Sequence, residues 1–279
     1  MEDTTKNRDM IKLSDQEFAT LTEYLRRGYG INLSKKRTLI EGRMNHYLIK
    51  HGFSDYSTYF KVLFNDPSGS EMSNVINVLT TNYSYFMREW AHFEYYRNTL
   101  LPQIKTSAID HDIRVWSAGC STGEEPYTLA MLNNEFFGYE SRLWDKRVLA
   151  TDISEKVLNT AQTGIYASEA LENVPKVWQI QYFDRLDDGN MQVKQSLKNE
   201  VIFRRFNLME KVFPFKKKFH VIFCRNVMIY FDSKTKNELV SRFYESLEKG
   251  GYLLVGHSES LDRAATKFSY IMPSVYKKG

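Results

Sequence analysis

Apolar positions along the first hundred residues recur at helical spacing, between capping residues and glycines. In "SDQEFATLTEYLRRGYG", Ser14 stands as an N-cap with Glu17 three residues on, the reciprocal pattern of a capping box. Phe18, Leu21 and Leu25 share one face, and Gly28 or Gly30 ends the run. "SKKRTLIEGRMNHYLIKHG" repeats the logic from Ser34 to Gly52, and "SDYSTYFKVLF" predicts a third helix. "SEMSNVINVLT" predicts a fourth, with Met72, Val75, Ile76 and Leu79 on one face. "EWAHFEYYRNTLLPQI" reads as a further helix that stops near Pro102.

From about Asp110 the period changes. "IRVWSA", "RVLATDIS", "VIFRRFNL", "FHVIFCRN" and "YLLVGHSES" read as strands. The helical patterns among them are "EEPYTLAMLNNEFF", "SEKVLNTAQTG" (Ser154 cap, Gly164 stop) and "SKTKNELVSRFYESLEKGG", Ser233 to Gly250. Strands alternating with helices predict an α/β fold, a Rossmann-like parallel sheet with crossover helices. The closing "FSYIMPSVYKK" has no helix before it and reads as an antiparallel edge. One segment breaks the alternation: "VWQIQYFDRLDDGNMQVKQSLKNEV" carries a "DDGN" hairpin signal. The organisation expected is a helical N-terminal domain over residues 1–85, then an α/β domain over 86–279 with a small antiparallel β-insertion at about 176–200.

Composition narrows the function classes. The chain has 279 residues, 42% hydrophobic and 14% aromatic, enough for packed cores. Its net charge of +4 is too mild to imply nucleic acid. Two cysteines, Cys120 and Cys224, form no disulfide framework and no C-x-x-C pair, and no H-x-x-x-H with an intervening glutamate occurs, so no metal is expected. The polar start "MEDTTKNRDMIKLSD" is no signal peptide, and no apolar run approaches the roughly 18 residues of a membrane span. A soluble cytoplasmic protein without direct membrane insertion is expected. No oligomerisation signal stands out, so a monomer is expected.

In open parallel sheets, ligands bind at the carboxyl ends of the strands. Those ends are "SAGCSTGEE", "ATD", "RFNL", "FCRN" and "GHSES". Asp152 ends the second strand, where a carboxylate can accept both hydroxyls of a ribose. The small-residue turn after the first strand lacks G-K-[ST] and runs into Glu124 and Glu125. A carboxylate about 4 Å from a phosphate charge costs on the order of 1–4 kcal/mol, whereas a cation there is favoured by a similar amount. Carboxylates in a helix's first turn also simply complement the dipole. Adjacent helical residues point about 100° apart, so at most one of the pair faces a ligand. The turn suits a nucleoside without phosphate and with positive charge. S-adenosylmethionine fits: a ribose for Asp152, an ammonium for the turn, and a carboxylate for an arginine, of which Arg88 in "TTNYSYFMRE" is the closest unexplained one.

Together "LTTNYSYFMRE", "VWSAGCSTGEEPYTLAM", "LATDIS", "FNLME", "IFCRNVMIYFD" and "GHSES" resemble the motifs of the chemotaxis receptor methyltransferase (CheR) family, in order and spacing, from about Leu13 to Tyr276. The resemblance implies a helical N-terminal domain followed by a methyltransferase domain with an inserted β-subdomain. It implies methyl transfer from S-adenosylmethionine, leaving S-adenosylhomocysteine, to glutamate side chains of chemoreceptor cytoplasmic helices. By motif, the cofactor residues would be Asn82, Ser84, Arg88, Glu125, Asp152, Asn207, Leu208, Arg225 and Asn226. Serine at position 84 replaces the threonine common in the family and keeps the hydroxyl. The family pattern chooses Glu125 over Glu124, leaving Glu124 as a helix-start carboxylate.

A glutamate carboxylate is already ionised at neutral pH, so its methylation needs no general base. Arg88 and Tyr230 are the candidates to hold the acceptor carboxylate near the methyl group. Cys120 and Cys224 end strands near the cofactor, but no histidine stands beside either to make a thiolate. From Arg26 to Lys50 there are seven Lys/Arg against one acidic residue, Glu41, and this face, with Arg37 and Arg43, could dock glutamate-rich receptor helices. No N/D-P-P-Y/F stretch stands at the "CRNVMIYF" place, which argues against nucleic acid as substrate.

Overall fold

A computed structural model describes residues 10–81 and 83–279. They form two compact units, Met1–Thr81 and Asn82–Gly279. Among the described residues no helix is long and apolar enough to cross a membrane.

The first unit holds helices α1 (Asp15–Tyr29), α2 (Arg37–Lys50), α3 (Tyr56–Phe64) and α4 (Ser70–Leu79). The capping box of α1 is present: Ser14 Oγ accepts the Glu17 amide, and the Glu17 carboxylate accepts the Ser14 amide. Gly30, with φ at +73°, ends the helix. Ser34 does not cap α2. Its amide and hydroxyl both donate to Asn32 Oδ1, a local turn that competes with the helix, which starts three residues later at Arg37. Apolar residues of the four helices, Leu21, Leu25, Ile40, Met44, Leu48, Tyr59, Val75 and Leu79 among them, are buried. Glu71 adds a polar tie, accepting the hydroxyls of Tyr47 and Tyr59 at 2.7 and 2.8 Å.

Both arginines expected to face a partner are engaged inside this unit. Arg43 donates to the carbonyls of Val78, Leu79 and Thr80 at 3.3, 3.0 and 3.1 Å, satisfying the C-terminal end of α4. Arg37 donates to the Leu13 carbonyl at 2.8 Å and pairs with Asp15 and Glu41.

The second unit opens with α5 (Trp90–Tyr95), a π-helical turn (Tyr96–Leu100) and α6 (Leu101–Ser107). The helix therefore continues past Pro102, where the sequence predicts a stop. The Leu101 amide reaches back to the Tyr96 carbonyl, and Pro102 falls in the first turn of α6, where a missing amide is tolerated.

Strands β1 (Val115–Ala118) and β2 (Val148–Asp152) are joined by α7 (Glu124–Phe137), and α8 (Glu155–Thr163) follows β2. Strand β3 (Ile165–Tyr166), α9 (Lys176–Tyr182), β4 (Phe183–Arg185), β5 (Met191–Val193) and α10 (Gln195–Lys198) come before β6 (Val201–Arg205). Then come β7 (Phe219–Cys224), α11 (Ser233–Ser246), β8 (Leu247–Val255), β9 (Ser269–Met272) and β10 (Val275–Lys277). The large sheet has seven strands in the order β6-β2-β1-β7-β8-β10-β9. The first five are parallel, and β10 and β9 add the antiparallel edge that the last residues predict.

Alternation along the strands divides two cores. Val115, Val221 and Phe223 face one side with Tyr127, Leu129 and Ile104, whereas Trp116, Ile222 and Leu253 face the other with Leu239 and Phe243. The Trp116 ring is fully buried among Phe206, Phe213, Phe215, Phe219 and Phe243, and its N–H donates to Thr151 Oγ1 at 2.9 Å.

The insertion is a three-stranded antiparallel sheet, β3-β5-β4. Its hairpin closes where "DDGN" stands: the Leu186 amide donates to the Asn190 carbonyl, and Gly189 has φ at +85°. The sheet takes its outer strand from residues 165–166, before the predicted start, because two residues carry no readable period.

Candidate active site

Strands β1 and β7 are neighbours, and the chain leaves β1 toward β2 on one side and returns at β7 on the other. This is a topological switch point, where the carboxyl ends of the strands open a crevice. Three segments meet there: the turn after β1, the end of β2 and the turn after β7.

The turn after β1 bends at Gly119 and Gly123, with φ at +87° and +100°. A Cβ on Gly123 would lie 2.8 Å from Ala161 Cβ, so a side chain there would collide with α8. Four of its amides are engaged inside the protein. Gly119 and Cys120 donate to the Thr151 carbonyl at 2.8 and 2.9 Å, Gly123 donates to the Cys120 carbonyl, and Ser121 donates to Asp152 Oδ2 at 2.9 Å. Amides so occupied cannot cradle a phosphate.

Asp152 accepts a second amide, from Ser154, on Oδ1 at 3.0 Å. Burial raises its carboxyl above the ordinary range, against the pull of the backbone amides. Each oxygen keeps a further lone pair for a hydroxyl donor. The Phe206 amide donates to the Asp152 carbonyl, which sets Asn207 and Leu208 directly beyond this strand end. Asn207 Oδ1 accepts the Met209 amide at 3.0 Å. Leu208 is buried among the α11-side core residues, and its carbonyl accepts from Arg242.

The two glutamates of α7 differ. Glu124 is buried, with both oxygens 2.8 Å from the Thr122 hydroxyl and a further hydrogen bond from Ser84. It is thus more than a dipole-complementing carboxylate: it ties the segment before α5 to the turn. Burial pushes its pKa up. Glu125 accepts the Ser117 hydroxyl at 2.7 Å and Arg225 Nη1 at 2.9 Å.

Arg225 is the hub of the crevice. Its Nη2 donates to Glu89 Oε2 at 3.1 Å and to the Arg88 carbonyl, and the guanidinium lies 5.0 Å from the Phe93 ring centroid. Its Nε is buried without a hydrogen-bond partner. Asn226 donates through its side chain to Glu89 Oε1 at 3.3 Å and through its amide to Glu259 Oε2 at 2.7 Å. Glu259 also accepts the Gly256 amide, pinning "GHSES" to the turn after β7, and burial raises its carboxyl.

Burial works against the charge of Glu89, but Arg225 and Asn226 outweigh it and hold the carboxyl below its ordinary range. His92 lies 3.5 Å from Glu89 through Nδ1, and burial, reinforced by Arg225, lowers its pKa to about 3, so the ring is neutral. Glu89, which the sequence did not single out, joins Arg225 and Asn226 at the centre of the crevice. Four non-glycine residues around the crevice hold positive φ: Met87 (+65°), Glu89 (+57°), Ser121 (+49°) and Asn226 (+60°).

The expected site residues are therefore brought together unevenly. Glu125, Arg225 and Asn226 join through Glu89, and Asp152 joins the turn. Arg88 brings its carbonyl to Arg225, while its guanidinium turns back to the Tyr83 carbonyl at 2.6 Å. Tyr230 ends a short turn, Met228–Tyr230, four residues after Asn226 and is partly buried. Asn82 lies outside the described residues, and Arg37 and Arg43 belong to the first unit. Cys120 and Cys224 are buried, and burial pushes both thiols well up, which favours the neutral thiol over the thiolate.

Comparison with known proteins agrees with this geometry. Residues 16–80 match "CheR methyltransferase, all-alpha domain", and residues 82–276 match "CheR methyltransferase, SAM binding domain". A chemotaxis protein methyltransferase of Borreliella burgdorferi is 43% identical over 272 residues, covering 96% of both chains. One of Escherichia coli is 35% identical over 272 residues, covering 96% of this chain and 92% of its own. Chemotaxis protein methyltransferase 2 of Vibrio cholerae is 33% identical over 260 residues, covering 92% of this chain and 90% of its own. With both domains matched in order across nearly the whole chain, this protein belongs to the CheR family of S-adenosylmethionine-dependent chemotaxis methyltransferases.

Proposed function

We propose that the crevice positions S-adenosylmethionine against glutamate carboxylates on the cytoplasmic helices of chemoreceptors, which become glutamyl methyl esters. The protein acts on them from the cytoplasm, as a monomer. The observation that carries the reading is the arrangement around Arg225. A buried arginine holds Glu125 and Glu89 and keeps one unpartnered N–H, beside a turn in which the Gly119, Cys120, Ser121 and Gly123 amides are already engaged. Such a site suits a ligand that brings both a carboxylate and cationic groups but no phosphate. When bound, the cofactor supplies an electrophilic methyl group on a sulfonium.

The residues that would hold it divide by chemistry. Asp152, pinned by the amides of Ser121 and Ser154, offers its remaining lone pairs to ribose hydroxyls. Asn207 and Leu208 flank the adenine. Glu125 and Arg225 face the amino-acid end, with Ser84 and Asn226 lining it, and the motif resemblance adds Asn82 to the cofactor contacts. Arg88 and Tyr230 orient the acceptor carboxylate. That carboxylate arrives ionised, so the protein acts by proximity and orientation, which contribute up to roughly 7–11 kcal/mol in favourable cases. The exposed lysines of the first unit, Lys35, Lys36 and Lys50, supply the positive face for acidic receptor helices.

The test is incubation with methyl-labelled S-adenosylmethionine and receptor cytoplasmic fragments, followed by alkali. Ester formation releases the label as volatile methanol. Label that stays on the protein through alkali would mean a different acceptor atom and would overturn the reading.

A further inference from the structure

Glu89, His92 and His257 place one carboxylate oxygen and two ring nitrogens within 4.8 Å of one another. His92 Nδ1 lies 3.5 Å from Glu89 Oε2, and His257 Nε2 lies 4.0 Å from the same oxygen. The two rings meet edge to face, centroids 4.7 Å apart. His92 is 1% exposed, and neither of its nitrogens has a hydrogen-bond partner. A buried imidazole with both nitrogens unmatched requires an explanation. In a tetrahedral site with bonds of about 2.0–2.1 Å, neighbouring ligand atoms stand about 3.3 Å apart. The Glu89–His92 separation already approaches that value, and His257, half-exposed, is free to close the remainder and leaves an entry path.

We propose that Glu89, His92 and His257 form a binding site for a first-row divalent cation of the zinc type. Two imidazoles and one carboxylate are a set that such ions take, whereas magnesium and calcium prefer oxygen ligands alone. The charge around the site permits a cation: Glu89 and Glu125 bring two negative charges against the single positive charge of Arg225. Other groups share the carboxylate. Arg225 Nη2 and the His257 amide lie 3.1 and 3.2 Å from Oε2, and Asn226 Nδ2 lies 3.3 Å from Oε1. The ion therefore has to take a lone pair of Oε2 from donors already present, which sets a moderate affinity rather than that of a closed structural site.

The experiment uses the full, untagged, metal-depleted chain, titrated with Zn2+ against a chromophoric chelator and with Co2+ by visible absorption. One Zn2+ per chain is expected, with at least a tenfold weaker Kd in His257→Ala and no change in His46→Ala, since His46 is exposed in the first unit. Co2+ should give the d–d bands of a nitrogen and oxygen site without thiolate charge transfer. His257 is exposed enough that its replacement leaves the fold intact, which thermal unfolding checks. The proposal fails if no Zn2+ binds, if His257→Ala binds as well as the parent, if His46→Ala weakens binding equally, if thiolate bands place the ion on a cysteine, or if Mg2+ displaces it.

Discussion

Glu125 and Arg225 are a hundred positions apart in the chain, yet the arginine donates to the carboxylate at 2.9 Å across the switch point of the sheet. Arg225 is 3% exposed and holds Glu89 as well. Removing it leaves two carboxylates facing each other without a counter-charge. Arg225→Met should lower the unfolding free energy by about 3 kcal/mol, read from urea denaturation. Arg225→Lys should recover only part of the loss, because an ammonium cannot reach both carboxylates in a fork. Equal stability of parent and Met variant would show that the pair contributes nothing.

Glu124 carries a pH signature. Its carboxyl is raised by burial, so the folded state binds a proton more readily than the unfolded state. The stability linked to this group is fully present below the unfolded value near 4.5 and declines as pH rises through the folded pKa. Glu124→Gln removes the titration and keeps an acceptor for Thr122. The variant should therefore gain on the parent in urea midpoint as pH increases from 4.5 toward neutrality. A difference that stays flat with pH would contradict this.

Asp152→Asn replaces an acceptor-only group that receives two backbone amides with one that has a single acceptor oxygen. Either Ser121 or Ser154 then loses its partner, and the turn loosens where the ribose is proposed to sit. S-adenosylhomocysteine should bind at least about tenfold more weakly by calorimetry, roughly 1.4 kcal/mol. An unchanged Kd would remove Asp152 from the cofactor site.

Tyr230→Phe and Arg88→Ala separate orientation of the acceptor from grip on the cofactor. The expected outcome for Tyr230→Phe is a kcat lower by about tenfold or more, on the order of 1.4 kcal/mol, with S-adenosylhomocysteine affinity held. Arg88→Ala should lower kcat as well. If both variants turn over like the parent, neither residue handles the carboxylate.

Docking of receptor helices is best tested at Lys35 and Lys36, which are exposed, because Arg37 and Arg43 are engaged inside their own unit. Lys35→Glu with Lys36→Glu should raise KM for receptor fragments several-fold, more so at low salt, with the unfolding midpoint unchanged. Arg43→Ala should instead uncap α4 and lower stability by about 1.5–3 kcal/mol.

Much of the fold was legible because its signals are local. Ser14 with Glu17, Ser154 with Gly164 and the "DDGN" hairpin all act within a few residues. Ser34 misled for the same reason: its hydroxyl had a nearer partner in Asn32 than the helix ahead of it. Pro102 misled because a π turn immediately upstream lets a helix run on through a proline. At the site, Asp152 was readable from its position at a strand end. Glu89 was not, since its partners Arg225 and Asn226 lie 136 and 137 residues away and only the sheet order brings them near. The Glu89, His92 and His257 cluster escaped a search for metal spacings for that reason too, with one ligand on the far side of the domain in sequence.

The positive φ angles at Met87, Glu89, Ser121 and Asn226 also bear on how such a protein can be improved. Glycine would relax the backbone at each, a gain of some tenths to about 1 kcal/mol after its greater freedom in the unfolded chain is counted. At Glu89 that gain is outweighed, because glycine discards a carboxylate that holds the buried Arg225, a loss on the order of 3 kcal/mol. The strained backbone is thus held in place by the same ion pairs that shape the crevice, and engineering for durability belongs on the helical surfaces away from the switch point.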